Sequence, residues 1–265
     1  MSSPKHALLA ETLRDRIEHD VYEGGRIPSE ATLADEFQVS RTTVRAALNA
    51  LQNEGLLRSQ SGVGYFVRRF QHFVYRPQDD FRRTKDIADV KSLTGAEDPD
   101  PDPFIKAAGA RKAEYRFEVT MVPATGDVLR RLRVPEGEFV VLRKRWRLLD
   151  GVPYQLYDSY YPRDVVEGTE VMEPRDIPRG VYQVLAERGH AQVRALDEIW
   201  VRMPRQSEVD RLKILPGTPV AEHVITGFTA EDRPVRMARV VLPGDRNVIT
   251  FERTHPDHES ETQSD

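Results

Sequence analysis

The sequence predicts an α+β protein of two compact units joined by a linker. Three observations predict this fold class. Residues 5–55 carry apolar side chains at the three- and four-residue spacing of short helices. Residues 56–68 contain two short strand-like runs around a glycine-bearing loop. Residues 115–252 repeat one strand–helix–strand–strand pattern twice. At 265 residues the chain is long enough to bury two cores.

The composition excludes several classes of protein. The chain has no cysteine, which excludes disulfides, thiolate metal sites and cysteine nucleophiles. No segment approaches the roughly 20 apolar residues of a membrane span, so we expect a soluble, cytoplasmic protein. The net charge is −4, and residues 1–69 hold nine Lys/Arg and nine Asp/Glu. A nucleic-acid surface would therefore depend on the arrangement of charge and not on its total.

Three helices are predicted at the start of the chain. Apolar residues four apart predict a first helix over 5–22, which ends at a glycine pair. Ser29 is a favoured N-cap residue and starts a short second helix. Ser40 caps the third helix, which ends at Gly55. The second and third helices are separated by a tight turn, which is the helix-turn-helix pattern.

The third helix has the chemistry of a DNA-contacting element. Val44, Leu48 and Leu51 share one face and should pack inward. Hydroxyl and guanidinium groups are left outside in the first turn, where an unsatisfied helix N-terminus attracts anions. In a helix-turn-helix, the N-terminal residues of the second helix contact base edges.

A hairpin follows the third helix. The strand-like runs 56–59 and 65–68 flank a loop that contains Gly62 and Gly64. Glycine lets this loop backbone come close to a sugar-phosphate edge or a minor groove. Three helices followed by such a hairpin form a winged helix-turn-helix.

The first unit resembles the GntR family of bacterial transcription regulators. Three motifs in fixed order carry the resemblance: Arg26-Ile27-Pro28-Ser29-Glu30, Val39-Ser40-Arg41-Thr42-Thr43-Val44-Arg45 and Gly62-Val63-Gly64-Tyr65-Phe66-Val67. Ala31 stands where the family usually carries an arginine, so we expect a different operator preference. The resemblance implies DNA contacts by Ser40, Arg41, Thr42, Thr43, Arg45 and Gly62.

The rest of the chain is predicted to be a linker and a repeated α+β domain. Residues 70–110 are rich in charge and proline, which favours a linker with room for a short helix or strand. The repeat has a period of 80 to 81 residues and aligns Leu132 with Leu212 and Pro153 with Pro234. Hairpin turns are expected at 150–151 and 231–232, and a connecting helix over 179–188. The two copies should share one mainly antiparallel sheet.

This second block resembles the UTRA, chorismate-lyase-like effector domain of the HutC branch. The motifs Arg145-Trp146-Arg147 and Ser159-Tyr160-Tyr161-Pro162 are among those that carry the resemblance. It implies that Arg145 and Arg147 reach the anionic group of an effector, and alternate strand residues do share one face. Tyr157 and Arg236 stand where the branch usually has acidic residues. The resulting candidate effector-binding residues are Arg145, Arg147, Ser159, Tyr161 and Arg236.

These observations predict a sequence-specific transcription regulator and not an enzyme. We expect a DNA-binding domain over 1–69, a linker over 70–110, an effector-binding and dimerisation domain over 111–252 and a disordered tail over 253–265. The expected partners are a two-fold DNA operator, a second copy of the chain and a small-molecule effector. The charge reversal at Arg236 leaves open a more anionic or a more apolar effector. We expect a repressor that the effector releases or modulates. No cofactor or metal motif is present.

Three alternatives remain open at this point. The arginines of 143–147 could form a solvent-facing basic strand and contact no ligand. The protein could be a ligand-independent regulator, for example of a mobile element, with a vestigial pocket. A lyase-like enzyme is a weaker alternative, because a fold alone does not carry an activity.

Overall fold

The computed structural model describes residues 4–69, 71–79 and 102–253. It has the predicted mixture of helices and a mostly antiparallel sheet, and it divides into two compact units. The first unit comprises Met1–Gln71, Val201–Val220 and Pro243–Arg246. The second comprises His72–Trp200, Ala221–Leu242 and Asn247–Asp265.

The helices and strands follow in chain order. The helices are α1 (Lys5–Glu18), α2 (Glu30–Glu36), α3 (Arg41–Asn53), α4 (Pro103–Ala108), α5 (Gly126–Leu132), α6 (Arg163–Val166), α7 (Val181–Glu187) and α8 (Gln206–Leu212), with 3-10 turns at Glu23–Gly25 and Glu170–Met172. The strands are β1 (Leu57–Gln60), β2 (Gly64–Val67), β3 (Phe73–Tyr75), β4 (Ala113–Pro123), β5 (Phe139–Leu149), β6 (Val152–Pro162), β7 (Arg194–Arg202), β8 (Val220–Phe228), β9 (Pro234–Pro243) and β10 (Asn247–Ile249).

Helices α1 to α3 and the β1–β2 hairpin share one apolar core. Leu13, Leu33, Leu48 and Leu51 are fully buried in it. The hairpin is antiparallel and pairs Leu57 with Val67. Each buried leucine removes enough apolar surface from water to contribute roughly 1.5–3 kcal/mol. The three helices and the hairpin are therefore held as one small domain, as the sequence predicts.

Helix α1 is shorter than expected. The apolar spacing predicts a helix to residue 22, but the helix ends at Glu18. Asp20 has a φ of 55°, and this left-handed conformation does not continue a helix. The apolar residue at 21 is exposed, so the periodicity extends beyond the helix it indicates.

The first unit also contains the turn around Asp245. The Arg68 guanidinium, at the end of the hairpin, donates to Thr218 Oγ1 at 3.0 Å and pairs with the Asp245 carboxylate. Its side chain is 2% exposed. Gly217 adopts a φ of 77° beside the backbone of Asn53, where an added Cβ would lie 1.6 Å from the carbonyl oxygen. Only glycine fits at this position.

The core of the second unit is a six-stranded sheet in the order β4-β5-β6-β9-β8-β7. The predicted repeat is visible in this order, because the three strands of each copy are adjacent and the copies meet at β6 and β9. Strand β6 pairs with β9 in antiparallel register between Leu156 and Val241. Helices α5 and α8 each end at a residue with positive φ, Arg133 and Lys213.

The predicted linker contributes to the second unit. Strand β3 pairs in parallel with β10, and α4 packs Phe104 into the same cluster as Phe73 and Tyr154. The sequence allowed for a short helix or strand inside 70–110, and the described part has both. Residues 80–101 and the tail from 254 onward lie outside the described residues. Within the described ranges, no helix has the length and apolar character needed to cross a membrane.

Candidate functional site

The N-terminus of α3 is fixed by a side-chain cap. Ser40 has extended backbone angles, and its Oγ accepts a hydrogen bond from the Thr43 backbone N–H at 3.1 Å. Its hydroxyl also lies 2.8 Å from Thr43 Oγ1. Such a cap satisfies one of the amides that a helix start leaves unpaired. The turn before it contains Gln38 with a φ of 50°.

The first two turns of α3 present the predicted DNA-contacting groups. Arg41, Thr42 and Arg45 are exposed, while Val44 is fully buried. Ser40 is exposed and Thr43 half-buried. This division follows from helical geometry, since one face packs on the core and the other is left to solvent.

Arg45 is held by an ion pair with α2. Its Nε and Nη2 donate to the two carboxylate oxygens of Glu30 at 3.1 and 2.7 Å. The Arg45 guanidinium lowers the pKa of the Glu30 carboxyl from its ordinary value. The side chain of Arg45 is still 63% exposed, so the group is oriented but accessible. An oriented, planar guanidinium is suited to bidentate contacts with bases or phosphates.

The loop of the hairpin is exposed. Gly62 has a φ of 73° and lies at the exposed tip. Arg26 is also exposed and donates to the Val63 carbonyl at 3.1 Å. Arg26 belongs to the first of the three family motifs and places an exposed basic group against the hairpin loop.

A cavity of about 210 Å³ opens on one face of the sheet in the second unit. Three parts of the chain close it around β5, β6 and β9: the start of α4, the segment before α7, and α7 itself. Its walls combine guanidinium, hydroxyl and apolar groups. The lining residues are Asp102, Ile105, Arg143, Arg145, Tyr157, Ser159, Tyr161, Asp176, Ile177, Pro178, Gly180, Val181, Tyr182 and Arg236.

The strand register explains how the sheet supplies this cavity. Alternate residues of a strand project from the same face, and neighbouring strands align those faces. Arg143 lies opposite Ser159, Arg145 opposite Tyr157, and Arg147 opposite Gln155. The arginines are therefore directed into the protein. The alternative of a solvent-facing basic strand does not describe them, because the Arg147 side chain is 2% exposed and that of Arg145 20%.

Arg145 and Arg147 share one carboxylate. Arg145 Nη1 lies 3.0 Å from Asp102 Oδ2, and Arg147 Nη2 lies 3.2 and 3.3 Å from the two Asp102 oxygens. Arg147 also donates to Gln155 Oε1 at 3.2 Å. The guanidinium carbons of the two arginines lie 4.7 and 4.9 Å from the Tyr157 ring centroid. Arg147 is the one predicted effector residue that does not line the cavity.

Arg143 and Arg236 have different surroundings. Arg143 donates to the backbone carbonyls of Glu173 and Arg175, and burial lowers the pKa of its guanidinium. These bonds anchor the segment before α7 to the sheet. Arg236 is 4% exposed and donates to the hydroxyl groups of Tyr182 at 2.5 Å and Tyr157 at 2.6 Å. A buried guanidinium at the wall of a cavity attracts anionic or hydroxyl-bearing ligands.

The structure thus brings four of the five candidate effector residues to one cavity. Ser159 and Tyr161 are buried and reach it from β6. Asp102 is the residue that sequence reasoning missed. An aspartate before Pro103 is a helix-start signal, but it does not indicate which side chains the carboxylate meets. Among the described residues no cluster of His, Asp and Glu has the arrangement of a metal site.

Comparison with known proteins assigns both units. A family model described as bacterial regulatory proteins, gntR family, matches residues 7–67, and the UTRA domain model matches 113–247. The HTH-type transcriptional regulator RB1450 of Rhizobium meliloti is 30% identical over 92% of this chain and 93% of its own. SCO4628 of Streptomyces coelicolor, also described as such a regulator, is 28% identical over 96% and 94%.

A solved structure gives the same result for the fold. A crystal structure of a protein assigned to the GntR transcriptional regulators aligns with a TM-score of 0.63 and 25% identity, covering 96% of this chain and 98% of the other. The two family models, both relatives and this solved structure assign the chain to the same family. The chain therefore belongs to the GntR family of bacterial regulatory proteins, with a UTRA domain following its DNA-binding region.

Proposed function

We propose that this DNA-binding regulator is a cytoplasmic repressor whose operator affinity is set by a small anionic molecule bound in the second unit. The observation that carries the proposal is the convergence of Arg145, Ser159, Tyr161 and Arg236 on one cavity. A chain that joins such a cavity to a helix-turn-helix has the two sites that a ligand-responsive regulator needs.

The DNA-binding part of the proposal is supported by the geometry of α3. Ser40, Arg41, Thr42, Thr43 and Arg45 lie in its N-cap and first two turns, and Gly62 lies at the tip of the neighbouring hairpin. We assign contacts with DNA bases to the arginines, and contacts with the sugar-phosphate backbone of the DNA to the hydroxyls and the hairpin. The balanced charge of residues 1–69 means that affinity depends on these few groups.

The ligand part is supported by the charge of the cavity. Three arginines and two aspartates line it, which leaves a net positive charge. Apolar residues such as Ile105, Ile177 and Val181 line the remainder, so a small organic anion fits better than an inorganic ion. The ligand would change operator affinity only if it binds one arrangement of the protein more tightly than the other. We propose that this cavity binds its ligand without transforming it.

A homodimer is part of the proposal, because a two-fold operator matches a two-fold protein. Strand β7 is an edge of the sheet. It exposes Leu196, Ile199 and Trp200 at 48, 38 and 58%. Exposed apolar edge strands are rarely left uncovered in stable proteins. We propose that a second copy covers this edge.

The test uses the full chain in two steps. Genomic fragments from the host are selected with the purified protein and sequenced, and the expected result is enrichment of one two-fold symmetric site. Small carboxylates and sugar acids are then screened by thermal shift, and a compound that raises the melting temperature should change operator affinity in an anisotropy titration. Absence of any enriched site would refute the proposal that the protein acts at a specific operator. A real operator with no stabilising compound would support a ligand-independent regulator instead.

A further inference from the structure

Asp102 lies between the guanidinium groups of Arg145 and Arg147. Its two carboxylate oxygens accept hydrogen bonds from both guanidinium groups at 3.0 to 3.3 Å. Oδ1 also accepts from the Phe104 backbone N–H at 2.8 Å. Two guanidinium groups on alternate residues of a strand form a clamp for a planar or tetrahedral anion.

The surroundings of this clamp are built for a negative charge. The Arg147 side chain is 2% exposed, and its orientation is fixed by Gln155 and by the rings of Phe104 and Tyr157. A guanidinium with so little exposure requires an anion or a hydrogen-bonding partner within reach. Tyr115 lies beside the clamp, and burial together with the Asp102 charge raises the pKa of its hydroxyl.

Asp102 is also held in place by its own helix. It is the N-cap of α4. Phe104, two residues later, is 1% exposed, and its ring centroid lies 4.8 Å from that of Phe73. Because the carboxylate is tethered to a packed segment, its effective concentration at the clamp is high. A free anion would have to break the hydrogen bonds of the Asp102 carboxylate. The negative charge of that carboxylate would still lie nearby and repel the anion.

We propose that Asp102 is the resident anion of the Arg145–Arg147 clamp, so that the effector bound in the adjoining cavity carries no phosphate group at this position. The inference rests on the proposed function, since it specifies the ligand of the same cavity. Recognition is then left to Ser159, Arg236 and the hydroxyl groups around them.

The charge of the cavity leads to the same class of ligand. With Asp102 in place, Arg145 and Arg147 share one carboxylate and the clamp keeps a single net positive charge, which suits a singly charged ligand. Without Asp102 the clamp would carry two positive charges and would match a doubly charged phosphate. Asp102 is therefore a specificity-determining residue, and its removal should create a phosphate site.

The experiment titrates inorganic phosphate into the full-length protein by calorimetry, without DNA. The wild type is compared with Asp102→Ala and Asp102→Asn, the second of which keeps a hydrogen-bond acceptor for the α4 cap. We expect both variants to bind phosphate at least about tenfold more tightly than the wild type. The double variant Asp102→Ala/Arg145→Ala should lose this gain. Asp150→Ala is the matched control, because it also removes a carboxylate from an arginine, Arg111, at a position outside the cavity lining.

Each outcome decides the question. Equal phosphate binding by the wild type and Asp102→Ala would overturn the inference, because the carboxylate would then be no competitor. Asp102 variants that melt cooperatively but gain no phosphate affinity would also overturn it. A gain in phosphate affinity that survives Arg145→Ala would overturn it as well, because the phosphate would then bind outside the clamp. Because these titrations use no DNA, failure of the clamp leaves the operator measurements of the proposed function untouched, and failure to find an operator leaves the phosphate result standing.

Discussion

Replacing Ser40 by alanine tests whether the start of α3 contacts DNA. The change removes the acceptor of the Thr43 amide and the hydroxyl contact at 2.8 Å. Loss of such a cap costs about 1 kcal/mol of stability, which lowers the melting temperature of a domain of this size by roughly 4–8 °C. If the Ser40 hydroxyl also contacts the operator, affinity should fall by a further factor of about three to ten. Fluorescence anisotropy with operator DNA measures this at a temperature where both proteins are folded.

The chain offers a matched control for this prediction. Ser29 caps α2 with the same geometry, at 3.1 Å from the Thr32 amide and 2.8 Å from the Thr32 hydroxyl. Ser29→Ala should therefore cost the same stability without lying at the predicted DNA surface. The reasoning requires that the two variants melt alike and that only Ser40→Ala loses affinity. Equal affinity losses in both variants would show that Ser40 acts through the fold alone.

Three further predictions concern separate features of the molecule. Arg45→Ala should weaken operator binding about tenfold to a hundredfold, and unchanged affinity in a gel-shift titration would contradict its role. Glu30→Gln removes the charge that orients Arg45 and should weaken binding by a smaller factor. Trp200→Arg places a charge on the exposed edge strand and should yield a monomer in light scattering, and a persistent dimer would remove β7 from the interface. Burial opposes ionisation of Glu208, but hydrogen bonds from Arg202 at 2.7 Å and from a backbone amide outweigh it and hold the pKa of its carboxyl below its ordinary value. The Glu208 carboxylate therefore contributes fully to stability above its unfolded pKa of about 4.5, and this contribution is lost as the pH falls through the lower pKa of the folded state. Measured by urea denaturation, the free energy of unfolding of Glu208→Gln should fall less steeply with decreasing pH than that of the wild type.

Local sequence signals predicted the three helices and the hairpin at the start of the chain. Ser29 and Ser40 are short polar residues before apolar spacing, and both cap helices in the structure. These signals succeed because caps and helix faces depend on residues only three or four positions apart. The predicted end of α1 at residue 22 is wrong. The apolar pattern continues past Asp20, but the left-handed backbone of Asp20 ends the helix and the pattern gives no sign of it.

The repeat predicted the elements of the second unit but not its site. The hairpin turns predicted at 150–151 and 231–232 contain Asp150 and Asp232 with positive φ, because turn chemistry is local. The position of Asp102 could not be predicted in this way. Its contact with Arg145 joins residues 43 apart in sequence and depends on how α4 packs on the sheet. The family resemblance offered no help, since it concerns the strand residues and not the segment before them.

The two copies of the repeat carry different side chains at one equivalent position of the sheet. With Pro153 aligned to Pro234, Gln155 on β6 is the counterpart of Arg236 on β9, and both are buried. Gln155 accepts a hydrogen bond from Arg147, whereas Arg236 lines the cavity. One copy thus keeps a neutral supporting amide at the position where the other presents a cation. The repeat gives the sheet two equivalent positions, so a substitution at residue 236 alters the charge of the cavity while Gln155 keeps its hydrogen bond to Arg147.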